Sequence, residues 1–221
     1  MSPTVSIWIL VIAVFVTYFL VSYVYKRLGI GNLHQALLVR NGLYLLNLRH
    51  ALGIVLFGVI FYVVVPDLRY FVYTVPILKL PILLVFLTLT FLSAFLSHVS
   101  VKNQTFESVG IDNPKASEAF MYFIIRIVFL FCYEFFFRGI LLFMFLKSNN
   151  IFTAITFSTI LYVFIHVFDS KKEFLGAIPF GVTLSIFAYI SGSIWYVFIM
   201  HLALSAVYEI SVFYHQTINT E

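Results

Sequence analysis

The sequence predicts an all-α integral membrane protein, a polytopic bundle of about seven transmembrane helices. Three observations carry this. Of the 221 residues, 62% are hydrophobic and 10% charged, against ~25% charged in a typical soluble domain. The apolar residues fall into long runs, each near the ~20 residues a helix needs to cross hydrocarbon. Phe (27) and Tyr (14) are abundant, which suits helix packing and interfacial belts.

The first run covers residues 5–25. No basic residue precedes it, and Lys26-Arg27 follow. A cleaved signal peptide needs a basic start and a shorter apolar core, so a retained anchor is expected. Residues 26–49 form a connector with Lys26, Arg27, Arg40 and Arg49 and no acid, and an interfacial helix is expected around residues 34–41. The second span is expected at 48–65, ended by Pro66-Asp67, and the third at 80–100, after a short segment broken by Pro76 and Pro81. The connector 101–117 is the most polar part, with Lys102, Glu107, Asp112 and Lys115; Asn113-Pro114 mark a helix start.

The fourth span, 120–146, carries Arg126, Glu134 and Arg138. Asn149-Asn150 turn the chain into the fifth, 151–168, which carries His166. A charged turn at 169–173 leads to the sixth, 174–190, where Gly176, Gly181 and Ser185 allow close approach of a neighbour. Ser191-Gly192-Ser193 turn into the seventh, 194–214, with His201 and Glu209. The division is a three-span region with connectors (1–114), a four-helix core (115–214) and a polar tail (215–221).

The net charge of +4 lies mostly between spans. It reads as a topology signal and not as a nucleic-acid surface, so membrane lipids are expected around the chain and no nucleic acid as partner. Alternate loops differ in basic residues, eight in the odd loops against three in the even ones. By the positive-inside rule this puts the N-terminus outside and the C-terminus in the cytoplasm of a multi-pass cell-membrane protein. The single cysteine, Cys132, excludes an intramolecular disulfide and a cysteine metal cluster, and reads as small packing filler.

The polar groups inside the spans point to function. A charge deep in hydrocarbon costs at least ~2.5–3.5 kcal/mol on insertion scales. Glu134 and Arg138, four residues apart on one helical face, offset part of each other's cost. At 1.5 Å rise per residue, Glu134 lies roughly 18 Å, His166 roughly 22 Å and His201 roughly 11 Å from the outer ends of their spans. Allowing for tilt, the three can share one layer. One carboxylate and two imidazoles can bind Zn²⁺ or another divalent metal with an open fourth position. They can instead hold a water directly for acid–base chemistry. The bland alternative is that each histidine hydrogen-bonds a neighbouring helix. Arg126 is expected to snorkel to the interface, Glu209 to cap or face the interface, and His50 and His98 to be interfacial.

These residues resemble the CPBP family of intramembrane proteases, also called the Abi or CAAX-protease family. Its pattern is Glu-Glu-x-x-x-Arg, then Phe-x-x-x-His, then His-x-x-x-Asn on successive core helices. Here the motifs read Tyr133-Glu134-Phe-Phe-Phe-Arg138, Tyr162-Val-Phe-Ile-His166 and His201-Leu-Ala-Leu-Ser205. The resemblance covers roughly residues 115–214. It implies a membrane metalloprotease that cuts membrane-associated peptides or proteins, with prenylated CAAX tails, peptide maturation and bacteriocin immunity among its settings. It implies catalytic roles for Glu134, His166, His201 and Ser205, with Glu134, His166 and His201 as the candidate metal ligands.

Tyr133 stands where the family has its first glutamate, and Ser205 where it has asparagine. A phenol, with a pKa near ~10, is a poor general base at neutral pH. A serine hydroxyl can donate to an oxyanion but is shorter and differently aimed. Two outcomes follow: an atypical active endopeptidase, or a member that scaffolds or regulates a membrane partner without cutting it. A small transporter or channel is disfavoured, because the first three spans offer few internal polar groups.

Overall fold

The computed structural model describes residues 3–102 and 116–217. Most of the polar connector, with Glu107, Asp112, Asn113-Pro114, Lys115 and the boundary at 114/115, lies outside the described residues, as do residues 218–221 of the tail. Seven helices are long and apolar enough to cross a membrane: Ser6–Arg27, Gly42–Val64, Leu80–Lys102, Ser117–Leu146, Ile151–Phe168, Lys171–Ser191 and Ile194–Thr217. This is the expected all-α membrane bundle.

The spans are not equivalent. The most apolar 18-residue window of the fourth is 72% buried inside the protein, against 17–39% for the others. The fourth span is therefore the central helix, and the others present much of their surface to lipid. The second span packs along its first half, the seventh crosses it, and the third runs along the seventh. The fifth and sixth form a hairpin beside it.

Helix ends follow local chemistry. Asn150 caps the fifth span, its side chain accepting from Thr153 N–H at 3.0 Å. Ser170 and Glu173 form a capping box at the start of the sixth, so the helix begins at Lys171, inside the expected charged turn. Gly192, at φ +61°, takes the left-handed position that ends the sixth span. The segment after Pro66 makes a 3-10 turn and one short helix, Tyr70–Tyr73. It is pinned to the seventh span by Trp195 Nε1 donating to Val72 O at 3.0 Å and by the Tyr196 hydroxyl donating to Pro76 O.

Several expectations are corrected. The interfacial helix is the shorter Leu33–Leu37, capped by Asn32. The second span starts at Gly42 and not 48, because the chain reverses at Asn41 (φ 59°) and the polar stretch beyond is already helical. His50 is therefore not interfacial. It is 2% exposed, with its ring 4.8 Å from that of Phe129 and 5.9 Å from that of Tyr122. His98 is exposed near the end of the third span. Gly181 does allow a close approach, since a Cβ there would come within 2.8 Å of the Tyr162 ring, but Gly176 faces open space.

The second and fourth spans approach closely at Gly58. A Cβ there would lie 2.4 Å from Cys132 Sγ and 3.0 Å from its Cβ. Both helices carry π-helical segments at this level, Ile54–Val59 and Phe135–Leu141. Cys132 is thus packing filler against a glycine. Gly58→Ala is expected to destabilise the protein by roughly 1–3 kcal/mol through overpacking. Adding Cys132→Ala should recover most of that. Unfolding midpoints in detergent for the single and double variants decide it; equal losses in both would remove this contact as the cause.

Candidate active site

The fourth span delivers three polar groups to the bundle interior at successive levels: Arg126, the pair Tyr133-Glu134, and Arg138. Glu134 and Arg138 are both 0% exposed, and Arg138 Nη1 lies 3.1 Å from Glu134 Oε2. Their surroundings are aromatic. The guanidinium carbon sits 4.1 Å from the centroid of the Tyr162 ring, a cation–π contact in a desolvated setting.

The helix is π-helical from Phe135 to Leu141, directly after Glu134. Single π turns are rare and often mark functional sites. Every residue from Phe135 to Leu142 is buried, which is possible because neighbours surround this helix at this level. Ser158 Oγ of the fifth span donates to Phe137 O at 3.0 Å and so anchors the π segment. Ser158 is a site-supporting residue the sequence reading missed; a serine in an apolar span is too common to single out.

His201 of the seventh span reaches Glu134 directly, with Nδ1 2.5 Å from Oε1. His166 does not. Its Nε2 lies 3.4 Å from the Tyr133 hydroxyl, and its Nδ1 lies 2.7 Å from Asp169 Oδ2. The expected shared layer therefore exists, but in two linked halves. Glu134, Arg138 and His201 form one, Tyr133, His166 and Asp169 the other. The ring contacts Tyr133–His201 (6.1 Å), Tyr133–Tyr162 (5.8 Å) and Tyr162–His166 (4.8 Å) join them.

This arrangement does not fit the expected metal site. Glu134 Oε1 is shared by His201 Nδ1 and Arg138, and His166 Nδ1 is committed to Asp169. Among the described residues no group of three or more His, Cys, Asp or Glu side chains is placed to hold a metal ion. Glu134 meets His201 and His166 meets Asp169, so the three do not form a ligand set.

Ser205 departs from its expected role. Its hydroxyl donates to Glu209 Oε1 at 2.9 Å and accepts from Arg126 Nη2 at 3.0 Å. A hydroxyl has one proton to give, so Ser205 is not a free oxyanion donor here. Arg126 does not snorkel and Glu209 does not cap. Arg126 Nε lies 2.7 Å from Glu209 Oε1, and the Tyr122 hydroxyl donates to Glu209 Oε2 at 3.0 Å. Snorkelling is the solution for a lone cation near a helix end. A carboxylate within reach on the facing helix replaces it.

The molecule is thus a polytopic membrane protein with a buried Glu–Arg–His centre on its central helix and a second histidine beside it. Residues 115–207 match the family model described as Rce1-like, type II CAAX prenyl endopeptidase. The match falls within the stretch in which the sequence resembles the CPBP family, so that segment is similar to a CAAX-protease core. No curated protein and no solved structure matches the chain.

Glu134→Ala leaves Arg138 fully buried without its counter-charge. Breaking one side of a buried pair costs about 3–5 kcal/mol. Replacing both, Glu134→Leu with Arg138→Met, is expected to cost less than either single change. Unfolding in mixed micelles measures this. A double variant as unstable as the sum of the singles would mean that the two residues are uncoupled and act through other contacts.

Proposed function

We propose that the chain is an intramembrane endopeptidase of the CAAX-protease type, acting on a membrane-associated peptide or protein. One observation carries this reading. From two different spans, His201 and His166 reach the adjacent residues Glu134 and Tyr133 of the central helix. The resemblance offers peptide processing and bacteriocin self-immunity as physiological settings. The excess of basic residues in the odd loops supports a cell-membrane orientation with the C-terminus in the cytoplasm. In that orientation His166 lies near the cytoplasmic end of its span.

In this reading His166 Nε2 is the base. It takes a proton from a water, the hydroxide adds to the peptide carbonyl, and the imidazolium returns the proton to the leaving amine. At 3.4 Å the contact from Tyr133 to Nε2 is long, so a water bonded to both groups competes with it. The Tyr133 hydroxyl is then a donor for the oxyanion. Glu134 holds His201 by Nδ1 and leaves Nε2 as the ring nitrogen that meets the substrate. Glu134 itself, tied to Arg138 and His201, is a poor candidate for the base.

The expected outcome is slow cleavage of a prenylated CAAX-type or similar membrane-anchored peptide by protein in liposomes. His166→Ala and Glu134→Ala should each reduce it by roughly 10²–10⁴. Unchanged cleavage in either variant removes that residue from the site.

A second reading is favoured by Tyr133 itself, which fills the position of the family's first glutamate. There the fold is retained and the chain scaffolds or regulates a membrane partner. Tyr133→Glu restores the paired acids of the motif and separates the readings. A gain of roughly 10²–10⁴ in cleavage from a near-zero start supports a chain that has set its chemistry aside. No gain, over a measurable wild-type rate dependent on His166, supports the endopeptidase.

A further inference from the structure

We propose that Asp169 is a positioning residue for His166, fixing the imidazole with its proton on Nδ1 and its Nε2 turned toward the Tyr133 hydroxyl. The catalytic consequence rests on the endopeptidase reading; the positioning itself does not. The sequence places Asp169 in a charged turn, where it reads as a solvated loop residue. The backbone gives it another part. The fifth span ends in a 3-10 turn, His166–Phe168, closed by Asp169 N–H donating to His166 O at 3.0 Å. With three residues per turn, side chains at i and i+3 eclipse. The carboxylate is thereby stacked on the imidazole, with Oδ2 2.7 Å from Nδ1.

A carboxylate at that distance accepts from an N–H, so the proton belongs on Nδ1 and the lone pair on Nε2. A surface His–Asp pair would leave the rest of the ring free. Here the ring also packs on Tyr162 at 4.8 Å and points its other nitrogen at Tyr133. Base, orienting carboxylate and a hydroxyl stand in one row, the order in which an acid–base site holds its histidine. The Asp169 side chain is one-third exposed (33%), at the rim of the bundle, so replacing it leaves the core intact.

The test uses ¹⁵N-histidine-labelled full-length protein in lipid nanodiscs, at a pH where the ring is neutral. His166 is assigned by the resonances lost in His166→Gln. The wild type is expected to show a protonated Nδ1 and an unprotonated Nε2. Asp169→Ala should shift His166 toward the Nε2-protonated or averaged form, and Asp169→Glu should restore it. In the peptide assay Asp169→Ala should lower kcat by roughly 10²–10⁴ with KM unchanged. An unchanged tautomer in Asp169→Ala overturns the proposal; an altered tautomer with unchanged kcat in a cleaving enzyme overturns its catalytic consequence. A tautomer that moves in a protein that cleaves no peptide upholds the positioning and sinks the endopeptidase reading instead.

Discussion

The structure depends on the buried pair Glu134–Arg138. Both residues are fully enclosed, in surroundings rich in aromatic side chains. An uncompensated charge in such a place is expensive, so the surroundings must satisfy both partners. Among the described residues Arg138 Nε and Nη2 have no hydrogen-bond acceptor; the face of Tyr162 lies beneath the guanidinium. Glu134 is shared with His201. Satisfying one pair therefore fixes the fifth span through Tyr162 and the seventh through His201. The close approach of the sixth span at Gly181, against the same tyrosine, completes the enclosure.

A second polar node repeats the solution on the same two helices. Glu134 meets His201, and Arg126 meets Glu209. The steps from 126 to 134 and from 201 to 209 are equal, and the two helices run antiparallel. Eight residues of helix rise about 12 Å, so the nodes are two rungs of one register. Slipping the seventh span by a single residue would rotate its polar groups by about 100° and break both rungs together. Ser205 lies between them on the seventh helix, which is why its hydroxyl is drawn to the Arg126–Glu209 rung.

The seven spans and the residues of the central pair were legible in the sequence, because bilayer thickness and the cost of buried charge are strong constraints that act on contiguous residues. The same logic singles out both histidines as polar groups within apolar spans. What escaped the sequence depended on partners distant in the chain. Arg126 reads as a snorkelling cation until Glu209, on another helix, is known to lie within reach. His50 reads as interfacial because the start of its span was set by hydropathy, and a helix that begins in a polar stretch gives no hydropathy signal. Asp169 was hidden by its setting, since a turn of charged residues looks solvated whether or not one of them faces inward. Gly58 was silent because a small residue acquires meaning only from what packs against it.

The two rungs also explain why residue 133 can differ from the CPBP pattern the sequence resembles without loosening the fold. Tyr133 belongs to neither rung. Its ring meets Phe57, Phe129, Phe137 and Tyr162, an aromatic setting that suits a phenyl body better than a carboxylate. Its ring also meets His201, and its hydroxyl faces His166. A carboxylate there would be a second buried acid beside Glu134, and its charge would need a compensating cation or proton. With tyrosine, that demand is gone and the apolar packing is gained. The register of the core thus rests on Glu134, Arg138 and His201, while the Tyr133 hydroxyl faces His166 apart from both rungs.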